Sequence, residues 1–149
     1  MMGQILGIDV GSKTLGLAVS DEGQTVALPL TTLRRKNMKA DLQRLGELIE
    51  DRGIEEVVIG LPLNLDGTPG EMSEMADGLA ERLTRRFGLA VHRWDERMTT
   101  VAAERVLLEA DVSRRGRRKV IDKLAATLIL QAFLDRRALE KMQSGRSAE

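Results

Sequence analysis

Residues 4–10 (QILGIDV) and 15–20 (LGLAVS) are short, apolar, β-rich runs separated by GSKT, whose length and glycine predict a hairpin. A third run, VALPLTTL over 26–33, follows the DEGQ turn, so the chain opens as an antiparallel meander. From about Met38 to Asp51 the period changes. Leu42, Leu45, Leu48 and Ile49 recur three or four apart, which predicts a helix that Gly53 ends. The unbroken run EEVVIGL, residues 55–61, predicts a buried strand closed by Pro62. After the NLDGTPG loop, Met72, Met75, Ala76, Leu79 and Leu83 mark a second amphipathic helix, ended near Gly88. LAVHRW is the fifth strand and runs into DERMTT. Residues 101–110 then read as helical behind a threonine cap. The basic segment SRRGRRK leads to a last long helix, VIDKLAATLILQAFLDRR, and the final QSGRSAE reads as a mobile tail.

A hairpin-rich start followed by alternating helices and strands predicts an α/β domain. Its mixed five-stranded sheet is antiparallel at one edge, parallel in the remainder, and flanked by helices. With 149 residues there is room for one ordinary core, so residues 1–140 are expected to form a single domain with 141–149 as its tail. Composition narrows the class further. Hydrophobic residues make up 42% and charged residues 31%, no apolar run is long enough to span a bilayer, and there is no cysteine. A cytoplasmic protein with no membrane role is expected. Lys plus Arg and Asp plus Glu are both 23, so net charge gives no general sign of a nucleic-acid partner, and any such sign must be local. Two phenylalanines, one tryptophan and no tyrosine argue against a base-stacking platform.

In α/β sheets, sites form at strand ends and adjacent helix termini, which directs attention to the acids there. Asp9 alternates with Ile5 and Gly7 on one side of its strand, opposite Leu6, Ile8 and Val10. A carboxylate so placed needs a cation or strong donors to offset its desolvation; the alternative is an aspartate that shapes the following turn. Asp95 and Glu96 stand where a strand gives way to a helix, and alternation lets only one of them point with Asp9 unless the strand is bulged. Asp122 shares its helical stripe with Ala125, Ala126, Ile129 and Phe133, which aims it at the sheet, and the expected helix start puts it near the first turn. Three carboxylates from a first strand, a later strand end and a helix start suit hard divalent ions such as Mg²⁺ or Mn²⁺. Two such ions about 3.5–4 Å apart can serve phosphodiester cleavage. Zinc fits poorly, because the sequence has one histidine and no cysteine, and His92, inside a strand, reads as structural or peripheral.

The segments GIDVGSKTLGLAVSD, VVIGLPLNLDGTPG, WDERMTTVAAERVL and RRKVIDKLAATLILQAF, in this order and spacing, resemble the YqgF family, also called RuvX, of RuvC-like nucleases. The resemblance covers nearly the whole chain. It implies a ribonuclease H-like fold, with Asp9, Glu96 and Asp122 as catalytic and metal-holding acids. It also implies a part in maturing the 5′ end of 16S ribosomal RNA, beside an older Holliday-junction resolvase label. Met98 stands where leucine is common in the family, which touches none of the three acids. Asp95 is left as an outer acid, or a ligand if the strand is bulged.

Five of the six residues Arg114, Arg115, Gly116, Arg117, Arg118 and Lys119 are basic and lead to Asp122, so contact with backbone phosphates is expected of them. Lys13 and Arg97, close in sequence to Asp9 and Glu96, are candidates to balance phosphate charge. Asn64, in a strand-end loop with Asp66, Gly67 and Gly70, is a candidate substrate contact beside its ordinary role as a turn former. Arg34, Arg35 and Lys36 form a second basic group whose position the sequence does not give. Met72 and Met75 read as core or partner surface.

Two other functions compete. The Asp-x-Gly turn with its hydroxyls also resembles the first phosphate loop of actin-like ATPases and sugar kinases, but those need two lobes and this chain has room for one. A catalytically silent nucleic-acid-binding module is the other, and the presence of all three acids favours catalysis. The expected partner is nucleic acid, RNA through the resemblance or a branched DNA, with the protein a monomer or a homodimer. The residues alone do not separate RNA from DNA.

Overall fold

In the computed structural model, residues 3–98 and 114–147 are described, with side chains over 3–98 and 123–144. Five strands, β1 (Gln4–Val10), β2 (Thr14–Ser20), β3 (Ala27–Arg34), β4 (Ile54–Leu61) and β5 (Ala90–Asp95), form one sheet in the order β3-β2-β1-β4-β5. β1, β2 and β3 pair antiparallel, whereas β4 runs parallel to β1 and to β5, as the hairpin and helical signals predict. Gly11–Thr14 closes the first hairpin through a 2.8 Å bond from the Gly11 amide to the Thr14 carbonyl.

Alternation along the strands builds two cores. Leu6, Ile8, Val57 and Ile59 pack under α1 (Met38–Arg52) and α2 (Glu71–Phe87), while Ile5, Ala18, Val58 and Trp94 pack under α3 (Arg114–Ser147). α1 starts where the Asn37 side chain accepts the Ala40 amide, and it ends at Gly53, whose φ of 62° lies in the left-handed region. α3 lies close to β1. A Cβ on Gly7 would stand 2.8 Å from Leu130 Cβ and 3.1 Å from the Ala126 carbonyl oxygen.

Two expectations change. The basic segment expected as a connection before the last helix is part of that helix, which begins at Arg114. Arginine and lysine are good helix formers, and their propensity across 114–119 outweighs the single penalty at Gly116. Asp122 therefore stands about two turns inside the helix, outside the reach of the end-dipole argument. At the other end the helix continues through Ser147, beyond residue 140. The helix expected over 101–110 lies outside the described residues. Among the described residues, no helix is long and apolar enough to cross a membrane.

Candidate active site

Asp9 is the penultimate residue of β1 and is 5% exposed. Its strand mates Ile5 and Gly7 face α3, so alternation turns Asp9 to that same face. The β1–β4 register pairs Ile8 with Ile59, and its next step sets Asp9 beside Gly60. Glu96 reaches that spot from the other side. β5 stops at Asp95, a 3₁₀ turn spans Glu96–Met98, and the Glu96 side chain folds back over Gly60: a Cβ there would meet Glu96 Cγ and Cδ at 3.2 Å and Ile129 Cδ1 at 2.6 Å. The bare backbone of Gly60 is the space that Glu96 occupies. Glu96 is 8% exposed, so two buried carboxylates share the α3 face at one end of the sheet, Asp9 on β1 and Glu96 just past β5, with Gly60 of β4 between them.

Asp95 points elsewhere. Its carboxylate accepts from the Arg97 amide at 2.9 Å and from the Arg97 guanidinium at 2.7–3.1 Å, and these bonds hold it below the usual carboxylate range and raise Arg97. Of the two neighbouring acids, Glu96 is the one whose side chain lies on the face that Asp9 shares. Arg97 also donates to the Leu65 carbonyl at 3.3 Å, and a Cβ on Gly67, where φ is 88°, would stand 3.0 Å from Arg97 Nη1. Arg97 thus braces the loop after β4. Asn64 braces it from within, its amide donating to the Thr68 carbonyl, its carbonyl accepting the Gly67 amide, and its side chain donating to Thr68 Oγ1 at 3.0 Å. Asp66 accepts from the Thr68 hydroxyl and amide, which lowers its pKa.

Lys13 projects from the tip of the β1–β2 hairpin and is exposed. Arg34, Arg35 and Lys36, unplaced by the sequence, stand beside it at the end of β3 and line a cavity with Ser12 and Lys13. The side chains of Asp122 and of residues 114–119 lie outside the described residues. His92 is structural in its surroundings: it bonds Glu56 at 2.9 Å and stacks at 4.8 Å on Phe133.

Do these residues fit a divalent ion? Among the described residues, no three His, Cys, Asp or Glu side chains gather as a metal group, since Asp122 lies outside them. The donors that are described do fit: two hard carboxylates, both buried, held on one face by a glycine that gives up its side-chain space. Sequence periodicity gives the face of Asp9. It could not find the Gly60 cradle, which depends on strand register.

A family model described as RuvX, Holliday junction resolvase, matches residues 3–136. A protein of Moorella thermoacetica named "Putative pre-16S rRNA nuclease" is 55% identical over 133 residues, covering 89% of this chain and 95% of its own. A protein of Symbiobacterium thermophilum with the same name is 50% identical over 141 residues, covering 95% of this chain and 98% of its own. Among solved structures, T. thermophilus RuvC in complex with Holliday junction substrate is similar with a TM-score of 0.59, covering 93% of this chain and 96% of its own at 16% identity. At that identity the likeness shows the fold, which is the RuvC-like, ribonuclease H-like one expected.

Proposed function

Since the chain belongs to the RuvX family, we infer that it is a divalent-metal-dependent nuclease that hydrolyses phosphodiester bonds in the 5′-end maturation of pre-16S ribosomal RNA. The observation that carries the reading is the pair of buried carboxylates, Asp9 and Glu96, on one face of the sheet end, either side of Gly60. The third acid is Asp122, one helical turn before Ala125 and Ala126, which pack on that face. These three would hold Mg²⁺ or Mn²⁺. When bound, such ions supply charge neutralisation at the scissile phosphate and activation of water.

The remaining residues bind and orient. Arg114, Arg115, Arg117, Arg118 and Lys119, on the turns of α3 that precede Asp122, contact the phosphates of the strand without reading its bases. Lys13 and the loop braced by Asn64 and Arg97 border the same carboxyl end of the sheet. The low exposure of Asp9 and Glu96 keeps bulk water from screening them, so their charge acts on whatever they hold.

The test compares the natural protein with Asp9→Asn and Glu96→Gln on labelled precursor ribosomal RNA, generic single-stranded RNA and a four-way DNA junction, with Mg²⁺, Mn²⁺ or EDTA. Metal-dependent cleavage of the precursor is expected, and each substitution should lower it at least ~100-fold, since even groups supporting a metal ligand are worth 10–100-fold. Cleavage of the junction in preference would assign the resolvase reading. Binding without cleavage by the natural protein would assign a silent binding module.

A further inference from the structure

On the α1/α2 side of the sheet end, across from the acids, the β1–β2 turn, the end of β3 and the start of α1 border an open cavity of about 390 Å³. Three of its lining side chains, Lys13, Arg34 and Lys36, are exposed cations, and none forms an ion pair among the described residues. The cavity does contain a carboxylate, Asp41, but that is already engaged. Asp41 is 2% exposed and bonds Arg35 Nε at 3.2 Å, with Arg35 12% exposed.

This pair ties together the backbones that carry the two lysines. Arg35 Nη1 donates to the Gly11 carbonyl at 3.2 Å and to Met75 Sδ at 2.9 Å. The Arg35 amide donates to the Lys13 carbonyl at 2.8 Å, and the Lys36 amide donates to Asp41 Oδ1 at 3.1 Å. The backbones of Lys13 and Lys36 are therefore tied to one another through Arg35 and Asp41. Three like charges around one cavity repel, and the acid that would neutralise them is spent on a fourth cation. An arrangement that gathers cations on a tied backbone yet withholds their counter-ion is suited to an anion from outside.

We propose that this cavity is a second nucleic-acid contact, in which Lys13, Arg34, Lys36 and Ser12 hold a non-scissile backbone phosphate of the strand being cut; the proposal rests on the nuclease reading above. Its position favours a polynucleotide over a free anion. Lys13 lies four residues beyond Asp9, at most about 14 Å along an extended chain. A strand with its scissile phosphate at Asp9 and Glu96 passes over the hairpin tip to reach the cavity, and so grips the sheet end from both faces.

The test separates this contact from catalysis by reading binding alone. In the Asp9→Asn background with EDTA, the dissociation constant of single-stranded precursor RNA is measured against salt concentration, with and without the added substitutions K13A, R34A and K36A. Arg35 and Asp41 are left intact so that the turn stays tied. The expected result is a loss of affinity of about tenfold and a salt slope shallower by about 0.7, one phosphate contact on a single strand. K13R with K36R should restore the slope, and K36E alone should weaken binding if the triple variant fails to fold. An unchanged slope with intact binding of the parent overturns the cavity contact and leaves the nuclease reading standing. A parent that binds no RNA overturns both. Loss of inorganic phosphate binding with no change towards RNA would identify the ligand as a free anion, and the backbone contact would be wrong.

Discussion

At Gly60 a single hydrogen decides whether Glu96 can lie over the sheet. Gly60→Ala would put a methyl 2.6 Å from Ile129 Cδ1 and 3.2 Å from Glu96 Cγ and Cδ, in a core where Ile129 is fully buried. Ile129 must leave its preferred rotamer or Glu96 must lift, and overpacking of this kind costs about 1–3 kcal/mol. Metal-dependent cleavage should fall further than the stability loss explains, because the displaced group is a proposed ligand. Urea unfolding beside a cleavage assay checks this, and wild-type activity in the variant would remove Gly60 from the site. The face of Asp9 was legible because period-two alternation is local. The tie between Arg35 and Asp41 was not: it joins residues across a helix cap, where neither strand nor helix periodicity applies, and inside RRKN it reads as ordinary surface charge.

At the scale of elements, α3 is seated on the sheet by close approach at Gly7 and by an ion pair further along. Gly7→Ala would press a methyl against Leu130 Cβ at 2.8 Å and the Ala126 carbonyl oxygen at 3.1 Å, both fixed by the helix backbone. A loss of stability of about 2–4 kcal/mol is expected, larger than at Gly60, because a whole helix must shift. Thermal unfolding of the two variants side by side measures the difference. Further along, Arg137 of α3 donates to both Glu56 oxygens of β4 at 2.7 and 2.8 Å, with His92 bonded to the same carboxylate. Chiefly through Arg137, the Glu56 pKa is lowered from 4.5 to about 2. A carboxylate whose folded pKa is depressed adds stability above its unfolded pKa and loses it as pH falls from there towards the folded value. Glu56→Gln should therefore cost about 1–2 kcal/mol at pH 6, allowing for solvent screening, and roughly half of that at pH 3. Unfolding at both values tests the sign: a gap that widens in acid would contradict it. The five strands and two helices before residue 98 were legible because their patterns are strongly periodic. The start of α3 was missed because a run of arginines and lysines around a glycine carries no apolar period, although its helix propensity is high.

Across the whole molecule, one end of the sheet collects Asp9, Glu96, the hairpin tip with Lys13, the loop with Asn64 and the starts of α1 and α2. The gathering follows from topology: β1, β4 and β5 run parallel, so their carboxyl ends coincide, and the β1–β2 turn necessarily lies there too. Two carboxylates buried together at that end are brought together by folding, so an ion they hold binds the folded chain, which links metal binding to global stability. An ion bound by the folded chain alone stabilises it by RT ln(1 + [L]/Kd), about 1.4 kcal/mol at ten times the dissociation constant. In a domain of this size that raises Tm by about 3–6 °C. Melting curves with increasing Mg²⁺ or Mn²⁺ should show the rise, and Asp9→Asn or Glu96→Gln should abolish it, because a ligand oxygen has lost its charge. Ca²⁺ should stabilise as well, being held by the same oxygen donors. If the curves of the natural protein ignore divalent ions at concentrations that support cleavage, the ions are brought by the substrate, and the two buried acids act on the nucleic acid only once its phosphates arrive.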